Sequence, residues 1–385
     1  MNSRGVVLLL GTTQTLAWAS SYYIPAILAG AMARDMGIET STVFVAFSCA
    51  MLLTAFLGPR VGRAIDELGG RRVLLASNAV FILGLAMLAL ATGPAMLFAA
   101  WLVLGLAMAM GLYDAGFATL AGLYGKDARG AITGITLIAG FASTLGWPLS
   151  GVMLSEFGWR GACWGWALIH LVLAMPLNWL LPRGTQRPAI AAPAAGQAQT
   201  NRTAILMAFI FAAGGFSAAA LGAHLPALLM AAGATPAAAI AAAALMGPAQ
   251  VAARVLEFSL LRRAHPLLSA KLAQVAHPLG AGILLVFGAP LAPLFVLLHG
   301  AGNGINTIVR GTLPLAVFGA AGYGARQGLI VAPTRFLGAL APALFGFIVA
   351  GYGAQALWFT AALSLMSLAA LFLLRVAPAP SEGPR

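Results

Sequence analysis

The sequence predicts an all-α membrane protein with twelve transmembrane helices, arranged as two six-helix halves related by pseudo-symmetry. The first observation is composition: 61% of the 385 residues are hydrophobic and only 8% are charged, whereas soluble proteins carry about 25% charged residues. The second is the length of the apolar runs. They reach about 20 residues or more, as a membrane-crossing helix requires, whereas membrane strands alternate polar and apolar residues over about ten positions.

One long polar stretch separates the two halves. Residues 183–202, rich in Pro, Ala, Gln and Thr, are typical of a flexible cytoplasmic linker. This linker divides the chain into an N-terminal six-helix bundle at residues 1–182 and a C-terminal six-helix bundle at residues 203–377, with a disordered tail at residues 378–385. The predicted spans cover residues 5–31, 42–62, 73–93, 95–123, 130–155, 160–182, 203–232, 235–261, 267–288, 290–319, 326–351 and 354–375.

The distribution of Lys and Arg predicts that both termini lie in the cytoplasm. With that orientation, the basic residues concentrate in cytoplasmic segments and span ends, and only Arg34 and Arg160 fall in external loops. This asymmetry follows the positive-inside rule. It accounts for the net charge of +12 without a nucleic-acid partner, and we expect a multi-pass protein of the cell inner membrane.

Short internal repeats relate the two halves. The segment Ile24-Pro-Ala-Ile-Leu in span 1 matches Leu225-Pro-Ala-Leu-Leu in span 7, and Asp127-Ala-Arg129-Gly130 resembles Gly324-Ala-Arg326. Two repeated halves of like orientation place a substrate site at their interface, near the middle of the bilayer.

Span 10 carries a polar stripe inside a long apolar run. Its residues His299, Asn303, Asn306 and Arg310 follow the spacing i, i+4, i+7 and i+11, which places them on one face of a helix. An ionisable side chain at membrane depth is costly and marks a substrate or ion pathway. The stripe therefore predicts one wall of a binding cavity.

The segment from Gly62 to Arg72 resembles a motif of the major facilitator superfamily. The family pattern is Gly-x-x-x-Asp-(Arg/Lys)-x-Gly-(Arg/Lys)-(Arg/Lys), in the cytoplasmic loop between spans 2 and 3. Four positions match, whereas Glu67 and Gly70 replace basic residues. The resemblance implies the twelve-helix fold of this superfamily, a monomeric secondary transporter and alternating access. It also implies a cytoplasmic gate, for which the candidate residues are Gly62, Asp66, Gly69, Arg71, Arg72, Arg254 and Glu257.

Other segments show a weaker similarity to one branch of that superfamily. The segment Gly111-Leu-Tyr-Asp and the pair Gly58-Pro59 resemble the monocarboxylate and oxalate–formate antiporter branch. The span-1 motif of that branch has no clear counterpart. Gly146-Trp-Pro148 resembles a loosened antiporter-type motif.

Three ionisable residues are predicted near the centre of the membrane. At 1.5 Å per residue, Asp114, Arg310 and Arg335 lie about 13–16 Å from the cytoplasmic face of a hydrocarbon core about 30 Å thick. One acid and two arginines favour an anion, since guanidinium groups suit carboxylates. We hypothesise that the arginines bind a small organic anion and that Asp114 binds the coupling proton. The alternative is a buried salt bridge that links the halves.

Further candidates line the predicted cavity or lie near its gate. Asn303 and Asn306 with Gln14, Trp18 and Tyr22 are candidate substrate contacts, although such polar residues also serve helix packing. His224 is a second candidate for proton coupling, and the alternative is a histidine with a satisfied hydrogen bond. Two interpretations of the i, i+3 pair Arg254 and Glu257 are open: an ion pair near the gate, or Arg254 as a third anion contact.

The sequence thus favours a secondary active transporter of a small organic anion, preferably a carboxylate, coupled to protons or working by exchange. The alternative is efflux of multiple drugs or amphipathic compounds by proton antiport, which aromatic residues such as Phe141 and Trp147 favour. Enzyme signatures such as HExxH, GxSxG and the P-loop are absent from the sequence. We expect no enzyme activity, no catalytic residue, no cofactor and no metal. The expected partners are the substrate, protons and the lipid bilayer.

Overall fold

The computed structural model describes residues 3–183 and 197–374, and all regular structure in these ranges is helical. The all-α prediction is therefore confirmed for this part of the chain. Linker residues 184–196 and the predicted tail lie outside the described ranges. Below, the first half means residues 1–182 and the second half means residues 203–377.

The described residues form sixteen α-helices, several of which are interrupted parts of one predicted span. A π-helical turn, Glu257–Leu261, extends the twelfth helix. The helices are α1 (Ser3–Ala19), α2 (Ile24–Met36), α3 (Thr40–Leu68), α4 (Gly70–Ala89), α5 (Pro94–Gly111), α6 (Tyr113–Tyr124), α7 (Ala128–Ala139), α8 (Ala142–Ile169), α9 (Met175–Trp179), α10 (Gln197–Ala231), α11 (Pro236–Ala243), α12 (Met246–Leu256), α13 (Pro266–Phe287), α14 (Ala292–Phe318), α15 (Tyr323–Tyr352) and α16 (Leu357–Leu373).

Eight segments of the described chain are long and apolar enough to cross a membrane. Several of them contain more than one helix, because a helix break does not interrupt the apolar run. The count of twelve spans, the pseudo-symmetry and the division into two bundles stay predictions. The eight segments are Ser3–Met36, Thr40–Leu68, Gly70–Ala89, Pro94–Trp179, Asn201–Ala231, Pro236–Leu261, Pro266–Phe287 and Tyr323–Leu373.

Two helical segments extend into stretches that the sequence assigns to a linker and to a loop. The predicted linker extends to residue 202, but α10 already begins at Gln197, so the polar end of this helix extends beyond its apolar part. The gate motif was placed in a loop, but α3 continues to Leu68 and α4 begins at Gly70. Gly69 alone separates the two helices, with a φ of 85°. Glycine tolerates this conformation, which most side chains do not adopt.

Predicted span 4 is interrupted at Leu112, between α5 and α6. The backbone of Leu112 is extended, with φ −87° and ψ −173°. The side-chain amide of Gln14 donates a hydrogen bond of 2.6 Å to the Gly111 carbonyl, because a helix break inside a membrane needs another donor for its carbonyl groups. As a consequence, Asp114 lies in the first turn of α6, where the helix dipole favours a negative charge.

Helices α3 and α15 cross at very short distance through glycines of the two halves. A Cβ atom added at Gly62 would overlap the Gly324 carbonyl, and one added at Gly328 would overlap the backbone of Gly58. The glycines are four residues apart on each helix, the small-xxx-small spacing of close membrane-helix contacts. The halves therefore meet backbone to backbone here. The apolar core around Phe117 also contains residues of both halves.

We predict that Gly328→Ala destabilises the protein, because the added methyl group forces α3 and α15 apart. Overpacking of this kind costs about 1–3 kcal/mol, so the melting temperature in detergent, followed by intrinsic fluorescence, should fall. Gly351→Ala is the control on the same helix, where an added Cβ meets no atom within 4 Å. Equal melting temperatures for the two variants would contradict the close crossing.

Candidate functional site

The carboxylate of Asp114 joins the first half to two arginines of the second half. Arg310 of α14 places Nη2 3.3 Å from Asp114 Oδ1, and Arg335 of α15 forms an ion pair with Oδ2. All three groups are buried or partly buried. The structure thus brings together the three ionisable residues that the sequence placed at the same depth. In this state Asp114 is paired with both arginines.

The two arginines are held differently. Arg335 also donates through Nη1 to the Thr54 carbonyl of α3 at 2.6 Å. Arg310 has a looser contact with the carboxylate, and its Nε has no hydrogen-bond partner among the described residues. Arg310 therefore retains an unused N–H donor, from which a ligand can accept a hydrogen bond.

Gln327 of α15 completes this cluster, and it is not among the site residues that the sequence predicts. Its amide donates to the Arg310 carbonyl at 2.9 Å and lies 3.5 Å from Asp114 Oδ1. A buried amide in an apolar span was the available signal. The position of Gln327 relative to Asp114 depends on the contact between α6 and α15, which the sequence does not encode locally.

Arg254 is buried without a carboxylate partner among the described residues. It donates to the Gly304 carbonyl at 3.3 Å, to the Thr136 carbonyl at 3.2 Å and to Thr307 Oγ1 at 3.4 Å. The Thr136 carbonyl lies in the last turn of α7, where the helix dipole favours a cation. Three neutral acceptors leave the charge of Arg254 uncompensated by an acid.

The predicted ion pair between Arg254 and Glu257 is therefore wrong. Glu257 bonds instead to Arg129 at the start of α7, at 3.0 Å, and accepts from Ser269 at 2.9 Å. The helix changes from α to π geometry at Glu257, so the i, i+3 spacing no longer places the two side chains together. Arg129 also donates to the carbonyls of Leu261 and Ala264.

Asp66 makes a second contact between the halves, at the N-terminus of α15. Its carboxylate accepts from the backbone N–H groups of Gly324 at 3.0 Å and Ala325 at 2.9 Å. A helix N-terminus is a favourable site for an anion. No ion pair of Asp66, Arg71 or Arg72 is found among the described residues. Arg71 instead lies over the Trp179 ring at 5.4 Å.

Of the remaining gate residues, Gly62 lies at the glycine crossing, and Gly69 forms the turn before α4. The backbone N–H of Arg72 donates to the Gly69 carbonyl at 3.2 Å. The motif thus contacts α15 in two ways: Gly62 lies against its backbone, and Asp66 binds the N–H groups at its N-terminus. Both this contact and the pair of Arg129 with Glu257 lie at the predicted cytoplasmic end.

An aromatic cluster in the first half lies next to the arginines. Trp18 contacts Tyr22 at 5.2 Å and Tyr113 at 5.1 Å between ring centroids. Tyr113 directly precedes Asp114, the partner of Arg310, so it connects the aromatic cluster to the charged cluster. Tyr22 is 37% exposed, as a cavity wall requires.

Gln14 does not belong to this wall, contrary to the prediction. Its side chain is buried and bonds to the Gly111 carbonyl. The polar stripe of span 1 therefore divides between a structural role for Gln14 and a surface formed by Trp18 and Tyr22. The helix break at residues 20–23, between α1 and α2, separates these positions further.

The polar stripe of α14 also divides. His299, Asn303 and Asn306 line one cavity, as their spacing predicts, whereas Arg310 binds Asp114. His224 bonds through Nε2 to the Pro342 carbonyl at 2.7 Å. His224 is thus a histidine with a satisfied hydrogen bond, which is the alternative that the sequence left open.

We predict that Asp114→Asn lowers the free energy of unfolding by about 3–5 kcal/mol, because two buried arginines lose their acid. Adding Arg335→Gln should restore part of that loss, since one uncompensated cation is removed. The measurement is a double-mutant cycle on thermal stability. As a control, Asp35→Asn breaks the exposed pair with Arg160 and should leave the melting temperature nearly unchanged. Additive effects of the two core changes would exclude direct coupling.

Sequence comparison identifies the family of this chain. The profile of the Major Facilitator Superfamily matches residues 9–298. A relative from Thermoproteus tenax, described as an uncharacterized 38 kDa protein in the 23S RNA operon, is 32% identical over 161 residues. That alignment covers 41% of this chain and 42% of the relative, so the chain spans less than half of the relative's length. The family match and the long apolar helices indicate a multi-pass membrane protein. The chain belongs to the Major Facilitator Superfamily.

Proposed function

We propose that this transporter moves a small organic anion, preferably a carboxylate, by alternating access with proton coupling or exchange. The observation that carries the proposal is the charge of the interior. Asp114 is shared by Arg310 and Arg335, and Arg254 is buried without an acid partner among the described residues. Three arginines against one aspartate leave this group with a net positive charge.

Unused donors support an anionic substrate. Arg310 Nε and Trp18 Nε1 are buried without a hydrogen-bond partner among the described residues. Both groups are donors only, so each requires an acceptor such as a carboxylate oxygen. Tyr113 contacts Trp18 and directly precedes Asp114, the partner of Arg310. The carboxylate would therefore bind near Tyr113, with the apolar part of the substrate against Trp18 and Tyr22.

The shared carboxylate of Asp114 supports a route to coupling. A proton on Asp114 would weaken both ion pairs and release Arg310, the more loosely held arginine, to bind the anion. A ligand shifts a conformational equilibrium only by its differential affinity for the two states. Anion binding at Arg310 would compete with the contact to Asp114 and so alter the link between the halves. A substrate anion and a proton would then favour the same release.

A specific observation also favours the second candidate, efflux of amphipathic compounds. The aromatic cluster extends from Trp18 through Tyr22 to Phe47 and, through Tyr23, to Trp147. Such rings bind apolar molecules and organic cations. A drug transporter would use these rings and would depend little on Arg254.

We predict that Arg254→Gln weakens carboxylate binding by about 10- to 100-fold, since a hydrogen bond to a charged group contributes about 1.5–3 kcal/mol. The measurement is the rise in melting temperature of the purified protein with increasing lactate, oxalate or benzoate, because a ligand of the folded state stabilises it. Arg310→Gln should weaken binding similarly.

Arg60→Gln is the matched control, because Arg60 is exposed and donates only to the Phe56 carbonyl of its own helix. It should leave the titration unchanged. Tetraphenylphosphonium is the cationic probe. If it alone stabilises the wild type, and Arg254→Gln responds as the wild type does, the anion proposal is wrong and efflux is favoured.

A further inference from the structure

A polar cavity in the second half contains a pair of histidines that the anion site does not use. Helices α10, α13, α14 and α16 surround a small, partly open cavity of about 20 Å³, which has room for roughly one water molecule. Its walls include Ser217, Gln274, His277, His299 and Asn303. Asn306, which accepts from Gln274 at 3.2 Å, also lines it. The cavity is therefore built of neutral polar groups, with the two histidines as its only titratable side chains.

The two histidines bond to each other. His299 Nδ1 lies 3.0 Å from His277 Nδ1, and His277 Nε2 lies 2.9 Å from Thr360 Oγ1. Both rings are buried. The remaining nitrogen, His299 Nε2, has no hydrogen-bond partner among the described residues, and the same is true of Ser217 Oγ. Both residues line the cavity, so two unpartnered polar groups lie at its wall.

The hydrogen-bond network assigns the protons. Thr360 donates its hydroxyl hydrogen to the Leu357 carbonyl at 3.1 Å, so it accepts from His277 Nε2. Neutral His277 then has an unprotonated Nδ1, which accepts from His299 Nδ1–H. The unprotonated nitrogen of His299 is consequently Nε2. A basic lone pair without a partner is thus left at the cavity wall.

The surroundings of the pair determine when it can hold a charge. Residues of α10 and α16 that line the cavity are small or carry hydroxyl groups, α13 adds Gln274, and α14 adds Asn303 and Asn306. No Asp, Glu, Lys or Arg lines it among the described residues. A buried imidazolium without a carboxylate is unfavourable. Anion binding nearby would supply the missing negative charge.

The anion site lies along the same helix. Arg254 bonds to Gly304 and Thr307 of α14, and Thr307 bonds to the carbonyl of Asn303. His299 and Gly304 are five positions apart, which corresponds to roughly 7.5 Å along the helix. An anion bound at Arg254 would place a negative charge against the same helix and would favour a protonated His299.

We propose that the His277–His299 pair is a second proton-binding site, in addition to Asp114, and that it couples gradient-driven proton movement to anion movement. The proton leaves water, binds the lone pair of His299 Nε2 while the anion is bound, and returns to water when the anion dissociates. No covalent bond to the anion forms or breaks. By linkage, the anion raises the affinity for the proton and the proton raises the affinity for the anion by the same factor. This inference rests on the proposed anion transport.

The test compares two activities of proteoliposomes with labelled lactate, oxalate and benzoate. One is exchange without a pH gradient, and the other is accumulation driven by an acidic exterior. His299→Gln should retain exchange, but its gradient-driven accumulation should be at least tenfold lower than that of the wild type. His170→Gln is the matched control: His170 is also buried, but Ser20 at 2.7 Å and Asn78 at 2.9 Å occupy both ring nitrogens. It should retain both activities.

The outcomes separate the two proposals. A wild type that neither binds nor exchanges any of the three acids overturns the anion proposal and this inference with it. A wild type that exchanges them, together with a His299→Gln variant that still accumulates them, overturns only the proton site. If His299→Gln fails to fold, His277→Gln takes its place in the same comparison, because His277 shares the hydrogen bond with His299. Gradient-driven accumulation that is retained in this variant would overturn the inference.

Discussion

The contact between the halves depends on one buried carboxylate, Asp114, which two arginines share. Removing a charge from water is unfavourable unless a partner of opposite sign and good geometry compensates it. Asp114 meets that condition only when α6 of the first half lies against α14 and α15 of the second. The glycine crossing of α3 and α15 brings these helices close enough. Electrostatics and backbone packing therefore favour the same arrangement.

The contacts at the predicted cytoplasmic end follow a common principle. Asp66 binds the N-terminus of α15, and Arg129 binds the carbonyls near the end of the π-helical turn together with Glu257. In each case a side chain of one half satisfies groups at a helix end of the other. Such contacts are lost when the helices separate, and they can be replaced by water at that end.

Function follows from what these contacts leave unsatisfied. A fully paired interior would hold the halves together and bind nothing. Here Arg254 has no acid, Arg310 has an unused Nε, and His299 has an unpartnered Nε2 among the described residues. Within the described chain, Arg254 lacks a negative partner, Arg310 Nε lacks an acceptor and His299 Nε2 lacks a donor. In the proposed function, the anion would supply the first two and a proton the third.

The sequence by itself determined the membrane environment, the helical class and the residues at membrane depth, because composition and periodicity are local properties. It also placed His299, Asn303 and Asn306 on one face. Only the tertiary structure decided which groups pair: Glu257 binds Arg129 and not Arg254, and Gln14 supports a helix break and not the cavity. Partners from distant helices are chosen by how the helices pack and where they break, as the extended Leu112 between α5 and α6 shows. Spacing along one helix does not contain that information.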